Sequence, residues 1–261
     1  MSNMNPQIRA NTAAVVKNNI GRLILMTLAL AGVAVGAMLA LGLVMSLCMN
    51  IHEALGAIVS IVGVIAIYFV MIDLSLGYTN GLIQMANGLT PAVSVIFSRI
   101  SKGLPGLGLS LWIGLKVWLW TLPGMGVAFL GTLFGSEVGA IISIIGMILA
   151  YVLMIPAAFR YAMSTYYFAE NPDNGVFNSV AMSITMMDGR KMQLFCLSIP
   201  YILIMIATSV GMSLLTMLFS GMGSFGAILM LLLSVGVIVA DIYVSLLMSM
   251  AYVCFYTTHR V

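Results

Sequence analysis

Four charged side chains lie within long apolar stretches, and these are the residues whose types could do chemistry: Asp73, Lys116, Arg160 and Asp241. Ionisable groups inside a membrane are costly, and they commonly mark proton, ion or solute sites. Two of the four are acidic and two are basic. Because their charges sum to zero, the sequence suggests that they pair with one another inside a helix bundle.

Asp241 lies near the middle of an apolar stretch at 226–256. A short carboxylate at that depth must find a partner, lie in a wet cavity or be protonated. Two interpretations stay open: a site for a proton, a cation or a substrate, and a packing residue that fixes the helix register. Asp73 lies closer to the end of its stretch, which favours packing. The long side chains of Lys116 and Arg160 can reach the membrane interface.

The elements that position these residues are predicted to be membrane spans. The chain of 261 residues is 62% hydrophobic and 7% charged, whereas about 25% of the residues in a soluble domain are charged. We predict an all-α polytopic membrane protein, a single transmembrane domain over 1–261, with six spans. The spans are predicted at 22–48, 55–80, 108–133, 138–164, 191–219 and 226–256. The first is too long for the apolar region of a signal peptide, so we expect it to be retained.

Basic residues in the connecting segments predict the orientation. Those on one side are Arg9, Lys17, Arg22, Arg99, Lys102, Arg190, Lys191 and Arg260. The turns on the other side, near His52, Glu137 and Gly221, contain no lysine or arginine. Since short cytoplasmic loops carry the excess of basic residues, we predict a multi-pass protein of the plasma membrane with both termini in the cytoplasm.

The stretch "NPDNGVFNSVAMSITMMDGRK", at 171–191, is unusually polar for this chain. It predicts a short amphipathic helix lying in the membrane interface. Val176, Val180 and Met187 fall on one face, with Phe177 and Ile184 beside them. The polar residues are predicted elsewhere on the helix; they are Asn178, Ser179, Ser183 and Asp188.

Asp173 or Asn174 can cap the predicted helix at 171–191. Two further segments follow the same design. In "NGLTPAVSVIFSRISKG", Thr90 is the predicted N-cap and Pro91 the first helical residue. Its apolar face holds Val93, Ile96, Phe97 and Ile100. A weaker version, "IRANTAAVVKNNIGR", opens the chain.

Each of the three segments ends in a glycine beside a basic residue and then enters a span. The pairs are Gly21 with Arg22, Gly103 with Lys102, and Gly189 with Arg190. The spacing predicts three repeats, at 7–87, 88–172 and 173–261, each an interface helix followed by a two-helix hairpin. The interface-helix residues that we select as candidate contacts are Phe97, Arg99, Phe177, Ile184, Arg190 and Lys191.

Prolines and closely spaced glycines also fall within the spans. Pro123, Pro156 and Pro200 indicate either simple kinks or broken helices whose carbonyls bind ligands. The spacings that permit close helix approach are Gly32–Gly36, Gly131–Gly135 and Gly135–Gly139.

The reactive residues form no catalytic pattern. Cys48, Cys196 and Cys254 have no paired spacing, and His52 and His259 stand alone. The signature patterns of zinc proteases, serine hydrolases and P-loop proteins do not occur in the sequence. We therefore predict no enzyme, no cofactor, no metal site and no nucleic-acid partner.

One stretch carries a family resemblance: "IPAAFRYAMSTYYFAENPDNGVFNSVAMSITMMDGRKMQLFCLSIPYI". Its distinctive features are Pro156, Arg160–Tyr161, Tyr166–Tyr167, the turn Glu170–Asn171–Pro172, Ser183 and "MMDGRKMQLF". In these features it resembles the core of an uncharacterised bacterial membrane family, domain of unknown function 975. The resemblance implies a multi-span protein of the bacterial inner membrane and implies no activity.

Two functions fit these observations. The favoured one is a non-enzymatic accessory or scaffold protein that binds other membrane components through cytoplasmic interface helices. The alternative is a transporter or channel for a small solute, coupled to protons, with Asp241 and Asp73 at its site. The expected partners are the lipid bilayer and either another membrane protein or a small solute.

Overall fold

Helices make up nearly all of the molecule. The computed structural model describes residues 4–135, 137–219 and 221–260, and no strand occurs among them. The α-helices are α1 Asn5–Ile51, α2 Glu53–Ala86, α3 Gly103–Leu133, α4 Glu137–Tyr161, α5 Ser164–Glu170, α6 Gly175–Met187, α7 Lys191–Phe219 and α8 Gly223–His259. Short 3-10 helices lie at Val93–Phe97, Ile100–Lys102 and Pro172–Asn174. The predicted all-α class is confirmed.

Within the described ranges, six helices are long and apolar enough to cross a membrane. They are α1, α2, α3, α4, α7 and α8, and they contain the predicted spans, except that the fourth span continues into α5. The helices pack as three hairpins: α1 with α2, α3 with α4, and α7 with α8. The predicted number of spans is confirmed, in that six described helices have the length and the apolar composition that crossing a membrane requires.

Glycines bring the two helices of the α3–α4 hairpin close together. A Cβ on Gly124 would overlap the backbone of α4, and Gly131 and Gly139 each lie against the other's carbonyl. The close approach therefore occurs at Gly131 and Gly139, whereas Gly135, which the two predicted spacings share, lies in the turn and has no atom within 4 Å of its Cβ position. A Cβ on Gly32 or Gly36 would meet no atom of a neighbouring helix within 4 Å, so that spacing brings no described helix close.

The prolines within the spans leave the helices continuous. α3 runs through Pro123, α4 through Pro156 and α7 through Pro200. Neighbouring groups in a helix bundle can accommodate the backbone bond that proline removes. The geometry therefore fits the interpretation of these prolines as kinks.

Large buried side chains concentrate at the end of the molecule that holds both termini. In α1 all buried residues fall between Asn5 and Met26. In α2 the buried side chains run from Ile72 to Met85, and in α8 from Val244 to Tyr256. We call this end, with the connecting segments 87–102 and 171–190, the basic end. It contains the core that joins the three hairpins.

The hairpins are exposed outside the basic end. In the most apolar window of each span, no more than 11% of the residues are buried. Leu43 in α1 is 69% exposed and Leu231 in α8 is 64% exposed. Apolar surface on this scale requires lipid or another protein as its neighbour.

The three segments predicted as interface helices adopt different structures. The first belongs to α1, the second forms the 3-10 helices at Val93–Phe97 and Ile100–Lys102, and the third is α6. No α-helix begins at Thr90 or Pro91, where the backbone is irregular. Tertiary packing accounts for the difference, because Ile96 is fully buried and its carbonyl lies directly against Gly77 of α2. The three-fold repeat is not confirmed and stays a prediction.

Candidate functional site

Ser183 fixes helix α6 to the end of the fourth span. Its hydroxyl donates to the carbonyl oxygen of Arg160 at 3.1 Å and accepts the backbone N–H of Met163 at 3.2 Å. These two backbone groups flank the break between α4 and α5, where a helix end leaves such groups without intrahelical partners. Ser183 is fully buried. Its hydroxyl therefore supplies hydrogen-bond partners for two backbone groups at the break and also anchors α6.

The buried face of α6 differs from the predicted one. Its buried residues are Ser179, Val180, Ser183, Met186 and Met187. The prediction that both serines lie away from the apolar face is wrong. Ser179 donates to the carbonyl oxygen of Gly175 at 2.8 Å, and a hydroxyl with an internal partner can be buried at little cost.

The N-terminus of α6 also differs from the prediction. Asn174 occupies the N-cap position, but its side chain makes no capping hydrogen bond. Instead, the side chain of Asn171 accepts the N–H of Asp173 at 3.3 Å, which caps the preceding 3-10 helix. Asp173 Oδ1 forms an ion pair with Lys102 Nζ at 3.1 Å. That pair ties α6 to the segment that precedes α3.

The other side of α6 is open. Phe177, Asn178, Ala181 and Thr185 are exposed, and we call these four residues the α6 outer face. The ring of Phe177 is 70% exposed. It nevertheless meets the ring of Trp112 on α3 edge to face, with centroids 5.2 Å apart and planes at 84°. Phe177 therefore has an aromatic contact on one side while most of its surface is uncovered.

The other apolar contact candidates differ in exposure. Phe97 is 46% exposed. Ile184 is half-buried and packs against the smaller part of the core, which includes Val180. Phe97 therefore stays available for contact, whereas Ile184 mainly supports the packing of α6.

Two of the basic contact candidates donate hydrogen bonds to carbonyl oxygens at helix C-termini. Arg99 donates to the carbonyl oxygens of Ala169, at 3.1 Å, and Glu170, at 3.0 Å. Arg190 donates to the carbonyl oxygen of Met186 at 2.9 Å. Cationic donors at a helix C-terminus satisfy its last carbonyls and interact favourably with the helix dipole. Both arginines therefore stabilise helices.

The C-terminal ends of α2, α5 and α8 meet at Glu170. Its carboxylate forms an ion pair with Arg260 and accepts a hydrogen bond from the Tyr256 hydroxyl at 2.5 Å. Arg260 also donates to the side-chain oxygen of Asn87 at 3.2 Å. Asn87 follows α2, Glu170 ends α5 and Arg260 follows α8. We call Asn87, Glu170, Tyr256 and Arg260 the Glu170 cluster.

Sequence reasoning missed this cluster as a unit. It used Glu170 only in the family resemblance and Arg260 only for orientation. The available signal was the position of Asn87, Glu170 and Arg260, which lie 4 to 7 residues beyond the ends of the second, fourth and sixth predicted spans. An acid, a base and an amide at equivalent positions after three spans are side chains that can bind one another, so their contact could have been proposed.

Asp241 has a partner on the neighbouring helix. Thr208 Oγ1 donates to Asp241 Oδ1 at 2.8 Å, and the same hydroxyl lies 2.9 Å from the carbonyl oxygen of Met205. The contact lies within the α7–α8 hairpin, and Asp241 is half-buried there. This geometry fits the interpretation that Asp241 fixes the packing of α8 against α7.

Asp73 lies against the beginning of α3. It is only 8% exposed, and a Cβ on Gly103 would lie 2.6 Å from Oδ2 and 2.8 Å from Oδ1. Within the described residues, Oδ1 has no hydrogen-bond partner. Because α3 begins at Gly103, the positive end of its dipole favours a carboxylate here.

The two basic residues inside the spans point toward the basic end. Lys116 Nζ lies 4.9 Å from the ring centroid of Trp112, one turn nearer that end of α3, which is a cation–π contact. Arg160 lines a cavity of about 350 Å³ together with Asp188 and Lys191. Both positions agree with long side chains that reach the interface.

The four charges inside the spans do not pair with one another. Among the described residues, the ion pairs are Lys102 with Asp173 and Arg260 with Glu170. The predicted mutual pairing is wrong, because no two of these four described side chains lie within ion-pair distance of each other.

Comparison with protein families, with curated proteins and with solved structures finds no match for this chain. The resemblance to domain of unknown function 975 therefore stays a prediction.

Proposed function

We propose that this chain is a non-enzymatic accessory or scaffold protein of the plasma membrane that binds another membrane protein through the α6 outer face. The observation that carries this proposal is the ring of Phe177, which is 70% exposed although it packs edge to face on Trp112. An ordered aromatic side chain suits an interface because it loses little conformational entropy when a partner covers it.

The anchorage of α6 supports this role. Ser183 holds the buried face to the α4–α5 break, and Asp173 holds the N-terminus to Lys102. The helix therefore presents Phe177, Asn178, Ala181 and Thr185 in one fixed orientation.

Phe177→Asp tests the proposal directly. The tagged protein is purified from native membranes in mild detergent, and co-purifying proteins are quantified by mass spectrometry. We expect a stoichiometric partner with the wild-type chain and its loss with Phe177→Asp, because a charge would replace the aromatic contact.

Asn18→Asp is the matched control, since it adds the same charge at an exposed position of α1, outside the α6 outer face. It should retain the partner, and thermal unfolding should show that both variants are folded. Equal recovery of the partner with Phe177→Asp would refute the proposed surface.

A second candidate function is solute transport, and the buried carboxylate of Asp73 favours it. A buried membrane acid with an unpartnered oxygen is a candidate proton or cation site. In proteoliposomes, this function predicts that Asp73→Asn or Asp241→Asn abolishes solute flux while the protein still inserts and folds. Unchanged flux in both variants would remove these acids from any transport mechanism.

A further inference from the structure

A polar cavity at the basic end lies between α4, α6 and α7. Its volume is about 350 Å³, and it is lined by Arg160, Ile184, Thr185, Asp188 and Lys191. Neither Arg160 nor Lys191 forms an ion pair with a described residue. Two cations and one carboxylate therefore line this cavity, which leaves one excess positive charge.

An apolar groove continues from the cavity into the span region. Its volume is about 290 Å³, and it is lined by Ile155, Pro156, Phe159, Lys191, Met192 and Phe195. Lys191 lines both spaces. Ile155 precedes Arg160 on α4 by five residues, which corresponds to about 7.5 Å along the helix axis. Since Ile155 is 47% exposed and Met192 is 69% exposed, the groove opens at the surface of the protein.

We propose that the cavity and groove together bind one anionic phospholipid between α4 and α7. The phosphate lies between Arg160 and Lys191, and one acyl chain lies along the groove. Basic pockets between membrane helices commonly bind lipid headgroups. The N-terminus of α7, which begins at Lys191, adds a further site of positive potential for the phosphate.

The charge and the polar groups of the cavity select the class of lipid. A headgroup with one net negative charge balances the excess positive charge, whereas a zwitterionic headgroup does not. Thr185 and Asp188 can accept hydrogen bonds from headgroup hydroxyls. Phosphatidylglycerol combines one phosphate charge with two hydroxyls, and it is the probe of choice.

The test is native mass spectrometry of the delipidated protein with equal amounts of phosphatidylglycerol and phosphatidylcholine. We expect one phosphatidylglycerol per chain to bind in preference to phosphatidylcholine. Arg160→Gln and Lys191→Gln should each weaken that binding roughly fivefold, the factor expected for one basic residue near a lipid phosphate. Lys17→Gln removes an exposed charge in α1 and should leave binding unchanged.

Ile155→Asn distinguishes a lipid site from a site for a soluble anion. It places a neutral polar side chain in the apolar groove and leaves the charges of the cavity unchanged, so it should weaken phosphatidylglycerol binding. Equal binding in wild type, Arg160→Gln and Lys191→Gln would overturn the proposal, as would equal binding of the two lipids. Displacement of the lipid by an equal concentration of inorganic phosphate would also overturn it and would indicate a soluble-anion site.

The lipid site adjoins the α6 outer face at Thr185, which belongs to both, but Phe177 lines neither the cavity nor the groove. Loss of lipid binding in Lys191→Gln with the protein partner retained would separate the two surfaces.

Discussion

The hydroxyl of Thr208 gives Asp241 a neutral partner inside the α7–α8 hairpin. A hydrogen bond of this kind stabilises membrane helices by about 0.6 kcal/mol on average and by up to about 1.7 kcal/mol. We expect the upper part of that range here, because the two oxygens lie only 2.8 Å apart. At the residue scale, this contact explains how an acidic side chain is accommodated within an apolar helix.

Thr208→Val should therefore destabilise the protein by about 1–2 kcal/mol, because Asp241 loses its donor while the side-chain shape is kept. Thermal unfolding in detergent measures the change. Thr216→Val is the control, since that hydroxyl donates to Met212 in its own helix turn. If the two variants unfold at the same temperature, the contact with Asp241 does not contribute to stability.

The Glu170 cluster is a second feature at the residue scale. Glu170→Gln removes the ion pair with Arg260, and we expect a loss of about 1 kcal/mol because both side chains are partly exposed. A double-mutant cycle with Arg260→Gln isolates the pair from its surroundings. Additive effects of the two substitutions would show that the charges do not interact, and Glu137→Gln at the opposite end controls for net charge.

At the scale of elements, the α3–α4 hairpin depends on the absence of side chains at its contact. The Cβ of an alanine at Gly124 would overlap the backbone of α4. Gly114 lies on the same helix and has no neighbouring atom within 4 Å of its Cβ position. The two glycines therefore separate the effect of helix packing from that of helix propensity.

Gly124→Ala should destabilise the protein by about 1–3 kcal/mol, because α3 and α4 must move apart. Gly114→Ala should stabilise it by about 0.5–1 kcal/mol, because alanine is the better helix former. Unfolding of both variants under the same detergent conditions measures the difference. Effects of the same sign would contradict the packing described for α3 and α4.

Long elements could be predicted from the sequence, whereas their short connections could not. The spans follow from apolar length, and α7 has the predicted limits at 191 and 219. The segment after Thr90 failed as an α-helix because the contact of Ile96 with Gly77 selects a 3-10 turn. That contact joins distant parts of the chain, and helix propensity carries no information about it.

Some residues of the candidate site could be predicted from the sequence, and others could not. Phe177 could be selected from its position beside an apolar stripe. The burial of Ser183 could not, because it depends on the backbone break at Arg160 and Met163. The Glu170 cluster could not be predicted either, because the sequence does not show that α2, α5 and α8 end close together.

At the scale of the whole molecule, three hairpins share a core at the basic end and expose apolar surface elsewhere. The core includes residues from both ends of the chain, such as Ile8 and Phe255. The α6 outer face lies outside that core, on a helix whose other face is part of it. The architecture thus combines a rigid end that can present a binding surface with spans that face the membrane.

Photocrosslinking from position 177 in native membranes tests the proposed scaffold role most directly. A photoreactive phenylalanine analogue replaces Phe177 in one variant and Leu43 in the control variant, both of which are highly exposed in the structure. The account predicts a protein adduct of defined mass at position 177 and lipid adducts alone at position 43. Lipid adducts alone at both positions would contradict it.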